Sequence, residues 1–99
     1  MPQHWTHKDL EVWQRGLDLA ELTYRVTEAF PRSERFGLAV QMRRAAVSII
    51  SNIAEGPARR SRPEFLQFLH IARGSLAELE AQAILAPRLS MLDESEVLA

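Results

Sequence analysis

Apolar residues recur at intervals of three and four along most of this chain, the spacing that places them on one face of an α-helix. The clearest stretch runs from Gln41 to Gly56 and its lead-in, where Leu38, Met42, Ala45, Ile49 and Ile53 make one continuous stripe. Beside it Ala45, Ser48, Asn52 and Gly56 make a second stripe of small residues. Small side chains let another backbone approach, and the hydroxyl and amide groups need partners once covered. A helix with both stripes has two neighbours to satisfy, and the flanking segments are built to supply them.

Upstream, Leu10, Trp13, Leu17, Ala20 and Tyr24 follow one face, which Val12, Leu19, Leu22, Val26 and Phe30 broaden. The pattern predicts a first helix over residues 7–30, with Thr6 and Asp9 covering its first N–H groups, Trp5 and Leu10 as a hydrophobic staple, and Pro31 as its stop. Glu11 with Arg15, and Glu21 with Arg25, are i, i+4 pairs for its wet side. A second helix is expected over 34–55, capped by Ser33, with Gly56 as a left-handed closing residue before Pro57. Ser61-Arg62-Pro63-Glu64 is a capping box with proline in the first turn. It opens a third helix over 62–86, in which Phe65, Phe68, Leu69, Ala72, Leu76, Leu79, Ala83 and Ala86 hold a bundle-like spacing.

Pro87 predicts a kink or stop near Ala86, with Leu89 and Leu92 suggesting continuation to about residue 92. Asp93-Glu94-Ser95-Glu96, with Leu92 and Val97 as a staple, signals the start of a fourth helix near residue 94. The expected fold is therefore a single all-α domain over residues 1–99, an up-down-up-down four-helix bundle whose fourth helix is truncated or only begun. Either the natural chain is longer or another subunit covers the open face. No strand pattern, internal repeat or low-complexity segment interrupts this reading.

Composition narrows the function more than it names it. A chain of 99 residues with 46% hydrophobic and 25% charged residues is of globular type, and one function per chain is the working assumption. The net charge of −1 offers no global attraction to nucleic acid or anionic membrane, so binding of either needs a local patch. There is no cysteine, which excludes disulfides, thiolate catalysis and Cys-ligated metals and suits the cytoplasm. The start MPQHWTHKDLEVW lacks the apolar stretch of a signal peptide, and no run reaches the ~18 apolar residues of a membrane span.

Candidate chemistry is sparse. No Glu is followed by His at the third position, as a di-iron bundle requires. His4-x-x-His7 lacks a further ligand nearby, and His70 reads as a surface or interface group. Ser48, Ser51 and Ser75 have no His and Asp placed beside them, and Glu78 and Glu80 point to different sides of a helix. No catalytic residue, cofactor or metal is expected. The uneven feature is Arg43 and Arg44 on the second helix with Arg59, Arg60 and Arg62 around the following loop. Arginine without lysine suits bidentate contacts to phosphate or carboxylate. The chain as a whole is not basic, which favours the alternative: Arg43 and Arg44 pair with Glu residues across a bundle or subunit interface, and the loop arginines sit in water.

Several stretches together resemble a known family. They are Phe36-Gly37-Leu38, the run from Gln41 to Ile49 (QMRRAAVSI), SNIAEG at 51–56, EFLQFL at 64–69 and ARGSLAELE at 72–80, with Leu10-Glu11-Val12-Trp13 and Phe30-Pro31 in support. The chain is identified by them as a member of the 23S rRNA-intervening-sequence, or four-helix-bundle, protein family. It departs from the pattern at Ile50, where the family often has proline, and at Pro87, in a stretch usually helical. The resemblance implies a four-helix bundle that assembles into a ring, typically a homopentamer. It also implies kinship with the accessory variability determinant of diversity-generating retroelements, a barrel-shaped pentamer that partners a reverse transcriptase and binds nucleic acid through basic surface. The family name records genes found within rRNA insertions, a location and not an activity.

The function expected is that of a non-enzymatic homo-oligomeric scaffold or nucleic-acid-binding accessory protein, with RNA or DNA, a reverse transcriptase or another protein as partner and no membrane. The alternative is a protein-binding adaptor whose arginines serve subunit ion pairs.

Overall fold

The second helix, α2 (Leu38–Glu55), lies between α1 (Glu11–Glu28) and α3 (Arg62–Arg88) in the computed structural model, which describes residues 7–34 and 36–91. The described residues form three α-helices and three short 3-10 turns, His7–Asp9, Arg32–Glu34 and Gly56–Ala58, with no strand among them. Packing partners fix the directions. Thr27 meets Arg43 and Gly16 meets Ile50, so α1 and α2 are antiparallel; Ser48 meets Ser75 and Gly56 meets Phe65, so α2 and α3 are too. Both outer helices pack along α2 and barely touch each other, in a molecule 47 Å long and 19 Å across.

The buried stripe of α2 is Ala39, Met42, Ala45, Ala46, Ile49 and Ile53, with Leu38 half-buried at its start. From α3 come Ala72, Leu79 and Ala86, seven residues apart, while Leu76 lies largely exposed. α1 keeps part of its expected broad face, with Trp13, Leu19 and Val26 half-buried against the core, and departs from the rest. Its buried residues are Gly16, Ala20, Thr23 and Thr27, while Val12, Leu22 and Tyr24 are exposed. The reason is proximity: a Cβ on Gly16 would stand 2.8 Å from Ile50 Cγ2, so only small residues fit along the contact line. The two threonines are accommodated because each hydroxyl donates back to a carbonyl one turn earlier, Thr23 to Leu19 at 2.8 Å and Thr27 to Thr23 at 2.7 Å.

The helix ends also depart from expectation in defined ways. α1 starts at Glu11, preceded by Leu10 with no side-chain cap, and stops at Glu28, three residues before Pro31. Thr6 and Trp5, the expected cap and staple, lie outside the described residues. Ser33 falls within the Arg32–Glu34 turn, and α2 begins four residues later than the expected 34, at Leu38 after Gly37. There the Glu34 carboxylate folds over the helix start, accepting from Leu38 N–H at 3.5 Å; a Cβ on Gly37 would collide with it.

Gly56 is right-handed, with φ −55°, and leads straight into a 3-10 turn. Its lack of a side chain serves Phe65, whose ring lies where a Cβ would crowd it at 3.2 Å. Ser61 caps α3 as expected, accepting from Glu64 N–H at 3.3 Å. α3 passes through Pro87 and ends at Arg88, without reaching residue 92. Met91 N–H returns to Ala86 C=O at 3.1 Å and Ser90 N–H to Pro87 C=O at 3.0 Å, around Ser90 at φ 59°. The predicted fourth helix, from residue 94, lies outside the described residues, so the fold described is all-α with three helices. Among them no helix is long and apolar enough to cross a membrane.

Candidate functional site

The small-residue stripe of α2 lies along α3. Ala45 and Gly56 are buried, and Ser48 and Asn52 are half-buried. Ser48 Oγ is 2.8 Å from Ser75 Oγ, and Asn52 Nδ2 donates to the Ser48 carbonyl at 2.8 Å and to Ser48 Oγ at 3.1 Å. With one hydroxyl lone pair occupied by the amide, the Ser48 proton is available to Ser75. This pairs the polar groups of the seam with each other. Ser75 was a serine without a partner in the sequence; its place three residues after Ala72 and four before Leu79 is the signal that it faces inward.

The five arginines do not form one surface. Arg43 is half-buried and turned onto α1: its Nε–H donates to Thr27 Oγ1 at 2.8 Å, Nη2 to the Tyr24 carbonyl at 3.4 Å, and its guanidinium lies 4.6 Å from the Tyr24 ring centroid. Thr27 gives its own proton to the Thr23 carbonyl, which leaves its oxygen as the acceptor. Arg44, its neighbour in sequence, is exposed beside a shallow groove lined by Tyr24, Val40 and Val47.

Arg59 lies beyond the other end of α2. It donates to Glu55 at 2.7 Å and lies over the Phe68 ring at 4.5 Å, an exposed pair steadied by a cation–π contact. Arg60 and Arg62 are exposed. From residue 43 to residue 55 the helix rises about 18 Å, which separates the two groups.

Tyr24, Thr27 and Arg32, which surround Arg43, carried no signal for this role in the sequence, because they come from another helix and a turn. Thr27, Glu28, Phe30, Arg32, Ala39 and Arg43 line a cleft of about 310 Å³ where α1 turns into α2. His7 packs edge-on against Trp13, with ring centroids 4.7 Å apart, and His70 is exposed on α3. His4 lies outside the described residues. Among those described, no cluster of three or more His, Asp or Glu residues could hold a metal ion.

Antiparallel helices joined by short turns, a polar seam closed on itself and arginines displayed at two ends define an all-α helical-bundle protein. The chain belongs to the 23S rRNA-intervening sequence protein family, whose model matches residues 8–99. No curated protein matches it.

Proposed function

We propose that this chain works as a non-enzymatic homo-oligomer, a pentameric ring in the cytoplasm, serving as a scaffold or nucleic-acid-binding accessory protein. The observation that carries the assembly is exposed apolar surface. Val12 and Leu22 on α1, Ile71 and Ile84 on α3, Leu89 just after α3 and Phe36 in the turn before α2 are each 44% or more exposed, and the two outer helices barely touch each other. Surface of this kind on a small chain is what subunit contacts consume. The nucleic-acid part rests on Arg44, Arg60 and Arg62, which are exposed and belong to neither of the ion pairs among the described residues.

A protein-binding adaptor is the second reading. It is favoured by Arg43 and Arg59, two of the five candidates, whose guanidinium groups are engaged within the chain. Light-scattering mass of the purified protein, alone and with a structured RNA, separates the two. The accessory reading expects an oligomer that gains mass with RNA and loses it as salt rises. Replacing Arg44, Arg60 and Arg62 by Gln then lowers the salt slope of binding by about 2 to 3. An oligomer indifferent to RNA at low salt rejects that reading in favour of the adaptor, and a monomer rejects the assembly itself.

A further inference from the structure

We propose that the cleft where α1 turns into α2 binds a small oxyanion, a carboxylate or phosphate group, between the guanidinium groups of Arg43 and Arg32. The inference is independent of the RNA reading, which rests on other arginines. Arg43 is a half-buried cation without a carboxylate partner: the ion pairs among the described residues are Glu11–Arg15 and Glu55–Arg59. A cation taken partly out of water is costly unless matched.

Its orientation is fixed by neutral groups on three sides: Thr27 Oγ1, the Tyr24 carbonyl and the Tyr24 ring. These contacts commit Nε–H and one Nη2 proton; the Nη1 donors and the other Nη2 proton remain. A guanidinium held in this way loses little side-chain freedom when it binds, and its planar fork matches an oxyanion.

The cleft is the right size and charge for such a group. About 310 Å³ accommodates a small ligand but no folded domain, and buried Thr27, Phe30 and Ala39 make its floor. Arg32 lines the same cleft from the turn between the helices, and among the described lining residues the two arginines outweigh the single Glu28 carboxylate by one charge. Glu28 forms no ion pair within 4 Å with either arginine. A monoanion balances the wall, and one that carries a hydrogen-bond donor has Glu28 to receive it.

The test is NMR titration of the 15N-labelled protein with inorganic phosphate and, separately, with acetate, at constant ionic strength set with chloride. Saturable shifts of the Arg43 Nε–H and of the Thr27 and Ala39 amides are expected, and the anion that saturates at lower concentration separates phosphate from carboxylate. Arg43→Lys keeps the charge but loses the fork, and should weaken binding about tenfold, the loss of one charge-assisted hydrogen bond. Arg32→Gln, at an exposed position, should weaken it similarly without changing the helical circular dichroism, and Arg62→Gln should leave it unchanged. Shifts without curvature for both anions, wild-type binding by Arg32→Gln, or loss of binding in Arg62→Gln would each overturn the proposal.

Discussion

Gly16 sets how closely α1 and α2 can approach, and its effect on stability comes from two opposed terms. Alanine there gains about 1 kcal/mol of helix propensity. The added methyl, however, would lie 2.8 Å from Ile50 Cγ2, and overpacking of that kind costs about 1–3 kcal/mol. Gly16→Ala is therefore expected to lower stability by up to about 2 kcal/mol in urea unfolding. Ile50→Ala removes the opposing methyl, so the two substitutions should be less than additive by at least about 0.5 kcal/mol; strict additivity would show that the close contact does not govern the site.

Gln82 is a second residue-level case. Its Nε2 donates to Glu78 at 3.2 Å, but its Oε1 is buried with no donor. Gln82→Leu removes that orphaned acceptor and is expected to raise the melting temperature, by at most about 1 kcal/mol of stability.

Local chemistry decides which helix ends could be read from the sequence. Ser61 and Glu64 stand three residues apart, so the cap of α3 needs no distant information, and the Ser61 half of the expected capping box forms. The start of α2 depends on Glu34 folding over Gly37, a contact that the adjacent serine, Ser33, obscures. Gly56 shows the limit of reading residue type as backbone shape: the glycine is there for the ring of Phe65, and its φ is right-handed. The left-handed residue is Ser90, which nothing in its own identity announces. The face of α1 is legible in part: Trp13, Leu19, Ala20 and Val26 pack on the core as their spacing predicts, but Gly16, Thr23 and Thr27 are buried through closeness to α2, which apolar size does not signal. The α2 stripe was legible because its large residues do fill the core.

Two substitutions at the ends of α3 should move stability in opposite directions. Ser61→Ala removes the acceptor for Glu64 N–H and should cost about 1 kcal/mol. Ser90→Gly relieves a left-handed serine and should gain about 0.5–1 kcal/mol. Thermal melts of the two single variants check both signs.

At the scale of the molecule, each outer helix is held mainly by α2, so each keeps apolar residues that the described chain leaves uncovered. The sequence indicated this surplus through the breadth of its apolar pattern, but which residues would carry it depended on packing. Ile84, 64% exposed on α3, is the sharpest instance. Two kinds of cover are consistent with it: the segment after residue 91, folding back as the expected fourth helix, or a second copy of the chain. They differ in what a charge at position 84 does. If a second copy covers the face, Ile84→Glu should lower the light-scattering mass toward that of one subunit while far-UV circular dichroism of the dilute protein stays unchanged, because the residue contributes little to the packed core. If the chain covers its own face, the same substitution should leave the mass intact and lower the melting temperature, since a carboxylate would then be buried without a partner. The assembly reading expects the first result, and the second would place the subunit contact on another part of the surface.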